Sequence, residues 1–205
     1  MAGILDYPRR SKRGEPVWEL ARLYPSQGYW SEHSYLNLDT NLLIEYHDGL
    51  LEFLPMPSIE HQRIVQALLL LLQAWSEEKG GEVLMAPMPL HTADKKYREP
   101  DLAYVSDPAD LRAKDRSLDS AELVIEVVSE GSENRKRDYE EKREEYAGAG
   151  IPEYWIVDPE EKLITVLSLR EGKYIEHCKA KLGQQAESAL LKGFSVDVSK
   201  VLSGK

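Results

Sequence analysis

The sequence predicts a mixed α/β (α+β) fold, a central mixed β-sheet flanked by helices, and three features carry that prediction. Short apolar runs at residues 102–105, 123–128 and 154–157 read as strands, and the run at 123–128, interrupted only by Glu126, as one buried on both faces. Residues 59–79 repeat Ile64, Val65, Leu68, Leu72 and Trp75 at spacings of three and four, the period of a helix. A charged helical segment then falls between two of the apolar runs, so strands and helices interleave along the chain.

Residues 1–31 mix charge with Pro16 and Pro25 and show no sustained period. They are expected to form an N-terminal arm, with a short helical piece over 17–23, ahead of a single domain over 32–205. Ser31 can cap a short helix over 31–39. Runs 42–46 and 50–54 flank His47-Asp48-Gly49, and Asp-Gly between apolar runs is a hairpin signal. Ser58 can cap the helix over 59–79, Leu69, Leu70 and Leu71 widen its apolar face, and Gly80-Gly81 stops it. Strand pieces at 83–86 and 90–92 are broken by Pro87 and Pro89, which suits an edge or a bulge. The strand at 123–128 is apolar throughout except for Glu126. Ser129 and Ser132 offer caps for a charged helix running to about Ala147, with Asp138, Lys142 and Tyr146 spaced at four on one face. Strands at 163–169 and 173–177 form a hairpin around Glu171-Gly172, and a last strand is expected over 194–198.

With 42% hydrophobic and 30% charged residues, the 205-residue chain has the composition of a soluble protein. Its longest apolar run, 67–72, is far shorter than the ~20 residues that cross a bilayer. Residues 1–13 contain no apolar stretch of signal-peptide type, so a cytoplasmic protein with no membrane partner is expected. Cys178 is the only cysteine, which excludes an internal disulfide and a thiolate cluster and leaves oxygen or imidazole donors for any metal. The net charge of -10 argues against a general nucleic-acid coat, because non-specific affinity comes from Lys and Arg neutralising phosphates. Basic residues nevertheless bunch at 9–13, 95–98, 112–116 and 135–143.

Glu126 is the most informative residue. An uncompensated carboxylate in a buried strand costs several kcal/mol, so a partner is required, either a basic side chain from a neighbouring helix or a metal ion. Asp101 follows Pro100, which biases Glu99 to extended geometry and sets Asp101 at the mouth of a strand; Pro-Asp is also ordinary turn chemistry. Two oxygen donors on adjacent strands suit Mg²⁺ or Mn²⁺, which keep several waters and accept phosphate oxygens.

Four blocks resemble one family. They are Arg98-Glu99-Pro100-Asp101 with its strand, Leu123-Val124-Ile125-Glu126-Val127-Val128-Ser129, the helix from Arg137 through Lys142 to Tyr146, and Gly150 to Pro159. In this order they are similar to the Uma2 family, formerly a domain of unknown function, of the PD-(D/E)XK nuclease superfamily, and the likeness spans 42–169. The resemblance implies a restriction-endonuclease-like core in which Asp101 and Glu126 bind Mg²⁺ or Mn²⁺ and the backbone carbonyl of Val127 completes the protein ligands. The superfamily pattern has a lysine two residues after the Glu, where this chain has Val128. Lys142 matches a lysine displaced to the following helix, able to hold the attacking water and to stabilise the pentavalent phosphate. Ser129-Glu130-Gly131-Ser132 departs from the Ser-Pro-Ser-Thr of many relatives and leaves the ligands untouched. Asp101, Glu126 and Lys142 are thus the catalytic candidates, with Glu52, His61, Asp138 and Tyr146 as secondary ones. Glu52 also reads as one exposed Glu of an alternating strand, His61 as a capping or structural histidine, and Asp138 and Tyr146 as residues that orient Lys142 or pack the helix.

The leading expectation is an endonuclease that hydrolyses nucleic-acid phosphodiesters, DNA in the first instance, as a homodimer. A catalytically inactive nucleic-acid-binding or scaffold protein of the same fold is the alternative, and an acidic metalloenzyme acting on another phosphate ester is a third. No base-reading element is recognisable.

Overall fold

The computed structural model describes residues 11–15, 21, 23–40, 42–107 and 116–204. The helical piece expected over 17–23 lies almost wholly outside them, as do Arg9, Arg10 and, apart from Arg116, the basic group at 112–116.

The described chain begins with α1 (Glu32–Leu36), where Ser31 Oγ accepts from the Ser34 N–H at 3.1 Å. β1 (Ile44–His47) and β2 (Leu50–Phe53) form the expected hairpin, with positive φ at both Asp48 (51°) and Gly49 (87°), the combination that matches the twist of two strands. Glycine is required at 49 for a second reason: a Cβ there would lie 2.8 Å from the Gly28 carbonyl oxygen. The chain ahead of α1 crosses this turn, and the Gln27 amide brackets both the N–H and the carbonyl of Leu51 at 2.8 Å.

α2 (Ile59–Lys79) is capped by Ser58, whose Oγ accepts from the His61 N–H at 3.1 Å, and ends at Gly80. β3 (Glu82–Met85), β4 (Leu90–Ala93), β5 (Lys96–Arg98), β6 (Leu102–Val105) and β7 (Leu123–Val127) follow. β5 was not anticipated, because its sequence is basic and its pairing with β1 and β4 is set by tertiary contact. The charged helix is three pieces: α3 (Ser132–Lys136), a π-helical turn (Arg137–Glu141) and α4 (Lys142–Gly148). Neither Ser129 nor Ser132 caps it. Gly131, with φ 104°, occupies the N-cap and makes no side-chain bond. β8 (Glu153–Asp158), β9 (Leu163–Arg170), β10 (Lys173–Lys181), β11 (Gln185–Glu187) and β12 (Ser195–Asp197) complete the strands. The expected last strand is shorter than predicted, because Asp197 caps a terminal helix, α5 (Val198–Ser203), by accepting from the Lys200 N–H at 3.1 Å.

The central sheet is mixed, in the order β10-β9-β8-β7-β6-β3, with β7 and β8 parallel and its other neighbours antiparallel. A second sheet, β2-β1-β5-β4, packs through Tyr35, Ile44, Tyr46, Leu51 and Tyr97. Along β7 the two-residue period sorts the side chains. Leu123, Ile125 and Val127 join Ile64, Leu68 and Leu72 of α2 in one core, while Val124 and Val128 join Tyr146 and Tyr154 in the other. Glu126 shares the second face, so it points toward α4. Trp155 is core, fully buried and 5.8 Å from the Phe194 ring. Among the described residues no helix is long and apolar enough to cross a membrane.

Candidate active site

The register of β6 against β7 pairs Leu102 with Ile125 and so carries Asp101 alongside Glu126. Asp101 Oδ2 accepts the Val127 N–H at 2.8 Å and lies 3.2 Å from His61 Nε2, which reaches in from the first turn of α2. Val127 therefore meets Asp101 through its N–H, a contact that no motif in the sequence pointed to. Burial opposes protonation of His61, but Asp101, with smaller contributions from Glu126 and the Val127 backbone, outweighs it and raises the imidazole pKa. His61 Nδ1 is buried without a hydrogen-bond partner among the described residues.

Glu126 is buried, and its Oε1 accepts from Tyr146 Oη at 2.6 Å and from Lys142 Nζ at 2.8 Å. Burial pushes its pKa well above the carboxylate range; Lys142 pulls against that, while Asp101 and Asp138 add to it. Lys142 is equally buried, with Glu45 Oε1 at 3.5 Å and Asp138 Oδ1 at 3.6 Å as further partners. Burial alone would neutralise the ammonium, but Glu126, Glu45 and Asp138 together raise its pKa, so Lys142 is a cation.

The π-helical turn positions these groups. The Lys142 N–H donates to the Arg137 carbonyl five residues back, which widens the helix just before Lys142, and Tyr154 Oη donates to the Asp138 carbonyl at 2.9 Å. The next turn of α4 then sets Tyr146 beneath Glu126, edge-on to Tyr154 with ring centres 5.2 Å apart.

Sequence reasoning missed Glu45. It sits within the apolar run of β1, is buried, and pairs with Arg98 Nη1 as well as Lys142. The signal was the one that singled out Glu126, a carboxylate inside an apolar strand. Arg98 in turn forms a two-pronged pair with Glu145 of α4, Nε to Oε2 at 2.6 Å and Nη2 to Oε1 at 2.8 Å, with Lys96 Nζ at 3.0 Å from the same Oε1. A chain of charges thus runs Glu145–Arg98–Glu45–Lys142–Glu126 and ties the second sheet to α4. Glu99 accepts the Ile44 N–H at 3.0 Å; its pKa is pushed up to about 7, first by burial and then by Glu45 against the pull of Ile44 and Lys142. Glu52, by contrast, is 58% exposed and meets the cluster only from its rim, 3.4 Å from Arg137 Nη1. Asp158 is the buried last residue of β8; it accepts from Tyr139 Oη at 2.8 Å, pairs with Arg135, and accepts the Glu161 N–H of the following turn at 2.9 Å.

Asp101, Glu126, Asp138, Lys142, His61 and Arg137 line one pocket of about 40 Å³. Two polar atoms on its lining residues, His61 Nδ1 and Arg137 Nε, are buried with no hydrogen-bond partner among the described residues. Among the described residues no three His, Cys, Asp or Glu form a ready metal cage. The donor set still fits a hard divalent cation. Hydrogen bonds from the described residues fall on Asp101 Oδ2 and Glu126 Oε1, leaving Oδ1 and Oε2 as donors. Two carboxylates plus water and substrate oxygens are the usual environment of Mg²⁺.

Comparison with known proteins bears on the fold and the family. No curated protein matches the sequence. Among solved structures, the fold is similar to that of "a putative nuclease belonging to DUF820" from Anabaena variabilis, with a TM-score of 0.66 at 14% sequence identity, covering 84% of this chain and 97% of that one. At such identity the likeness establishes the restriction-endonuclease-like fold alone. The description of the Uma2 family, "Putative restriction endonuclease", matches residues 30–199, well over half of the sequence and with all four blocks inside it, and the chain belongs to the Uma2 family.

Proposed function

We propose that this chain is a Mg²⁺- or Mn²⁺-dependent endonuclease that hydrolyses DNA phosphodiester bonds. The observation that carries the reading is the pairing of Asp101 with Glu126, one oxygen of each left without a hydrogen bond from the described residues, beside a buried lysine held as a cation. Asp101, Glu126 and the Val127 carbonyl would hold the ion, which supplies Lewis-acid polarisation of a phosphoryl oxygen and acidifies water.

The remaining work falls to side chains. Lys142 stays protonated, so it acts as a fixed charge and hydrogen-bond donor toward the attacked phosphate and its incoming water, and it does not serve as the base. Arg137, with its Nε unpartnered beside the same pocket, offers a second cation to a phosphate oxygen. His61 fixes Asp101 by contact with the oxygen that also takes the Val127 N–H. Tyr146 fixes Glu126, and Glu45 and Asp138 keep Lys142 from swinging away.

A second reading, a binding or scaffold protein without turnover, is favoured by the 2.8 Å ion pair that engages Lys142 with Glu126 and by the net charge of -10. One assay separates the two. Purified protein is incubated with single-stranded, duplex and branched DNA in Mg²⁺ or Mn²⁺, alongside Asp101→Ala, Glu126→Ala and Lys142→Ala. The nuclease reading expects cleavage by the native protein, its loss in chelator, and its loss in all three variants. Cleavage that survives Glu126→Ala rejects the site, and Glu126-dependent Mn²⁺ binding without cleavage selects the scaffold.

A further inference from the structure

We propose that an apolar trench beside Asp101 receives an unpaired nucleobase of the strand being cut, so that the enzyme selects single-stranded or locally unpaired DNA over continuous duplex. The proposal rests on Asp101 and Glu126 being the phosphodiester site and adds the form of the substrate.

The trench, about 310 Å³, runs between the end of β2, the first turns of α2 and the end of β3. That volume falls within the range of small-ligand sites, roughly 300–1,000 Å³. Leu43, Leu54, Pro55, Pro57 and Asp101 line both it and the catalytic pocket, so the two spaces meet at Asp101. Their chemistry differs. The catalytic pocket is lined by four carboxylates, Glu99, Asp101, Glu126 and Asp138, together with Arg137, Lys142 and His61, and suits a phosphate held through a cation and basic side chains. Among the described residues the trench has Asp101 as its only charged lining residue, no lysine or arginine, and one amide, Gln62, among walls of leucine, proline, methionine, alanine and valine. A phosphate gains nothing there. A nucleobase, with apolar faces and a hydrogen-bonding edge, matches apolar walls and a single amide.

The rim supports the same occupant. Met56 is 86% exposed, Ile59 74% and Met85 47%, an unusual grouping of apolar side chains beside a charged site. Along the adjoining groove on α2 the only cation among the described residues is Arg63. A duplex keeps its bases stacked inside and offers phosphates, which call for a row of Lys and Arg. An unpaired strand is held largely through its base faces and needs fewer. Because the trench opens at Asp101, a phosphodiester seated on the carboxylates delivers its neighbouring base directly to it.

The test uses full-length Glu126→Gln, to stop cleavage, with a short labelled DNA strand offered alone or annealed to its complement in Mn²⁺, read by fluorescence anisotropy. The single strand is expected to bind about tenfold more tightly than the duplex, and adding Met85→Glu to weaken single-strand binding about tenfold while Met85→Leu preserves it. Met85 is half exposed, so the new charge is compatible with folding, and a thermal melt verifies this; Met56→Glu is the second variant. Equal binding of duplex and single strand, or binding indifferent to both glutamates, overturns the proposal. So does a glutamate variant that only converts a dimer to a monomer in sedimentation, which would make the trench a contact between two copies. Cleavage by the chain with Glu126 intact separates the two claims. Trench-dependent binding without any cutting rejects the hydrolase reading alone, whereas cutting of duplex and single strand alike, unaffected by Met85→Glu, rejects the trench alone.

Discussion

Replacing Glu45 by glutamine removes one negative charge, at nearly constant shape, from between two buried cations. Lys142 Nζ lies 3.5 Å from Glu45 Oε1, and Arg98 Nη1 is in direct contact with Oε2. At an effective dielectric of ~20 the Lys142 pair alone is attractive by about 5 kcal/mol before desolvation. The several kcal/mol spent on burying the Glu45 charge offset much of this, and the glutamine carbonyl still accepts from Arg98. The net loss is then about 3 kcal/mol, at the lower end for a buried pair stripped of one partner. For a chain of this size that lowers the Tm by roughly 6–12 °C, and the urea midpoint falls with an unchanged m value. DNA cleavage should fall about tenfold through kcat as Lys142 gains freedom. Glu52→Gln is the internal control. Glu52 touches Arg137 and Arg98 but is 58% exposed, so it should cost under about 0.5 kcal/mol. A Glu45→Gln protein as stable as the native one, or equal losses at the two positions, would refute the assignment of Glu45 as the hub of the network.

Tyr146→Phe deletes the 2.6 Å bond to Glu126 and leaves that carboxylate one donor short; a urea titration should show a loss of about 1–3 kcal/mol. Glu145→Gln tests the pH dependence. Burial resists the charge on Glu145, but Arg98 and Lys96 outweigh it and lower its pKa, so its stabilisation is present above the ordinary value of about 4.3 and is lost as pH falls through the lower, folded value. The gap in stability between native protein and variant should therefore be largest near neutrality and close as pH falls below the ordinary carboxyl value, and a constant gap would contradict the ion pair. Gly81→Ala places a Cβ 2.5 Å from the Tyr104 ring at a φ of 89°, and should lower thermal stability by about 1–3 kcal/mol while leaving Mn²⁺ affinity unchanged.

Where local chemistry decides structure, the sequence was sufficient. Asp48-Gly49 made its turn because both positions take positive φ, Ser58 capped α2, and alternation along β7 put Glu126 on the face of α4. The period of four from Asp138 through Lys142 to Tyr146 survived the π-helical turn, since Lys142 still reaches both Asp138 and Glu126. What escaped was set by distant partners. β5 is a strand because β1 and β4 flank it, and the π turn coincides with the bond from Tyr154 to the Asp138 carbonyl, which no local pattern announces. Glu45 was legible and was overlooked: the burial argument applied to Glu126 also applies to a glutamate between Ile44 and Tyr46. Its partners Arg98 and Lys142 are 53 and 97 positions away, and only the fold could name them.

Whether Asp101 and Glu126 share a divalent cation is decided by calorimetric titration of Mn²⁺ into the native protein and into Glu126→Gln, with Glu52→Gln as control. The native protein and Glu52→Gln are expected to bind Mn²⁺ alike, and Glu126→Gln to lose at least about tenfold in affinity. Equal Mn²⁺ binding by Glu126→Gln and the native protein would contradict a shared cation.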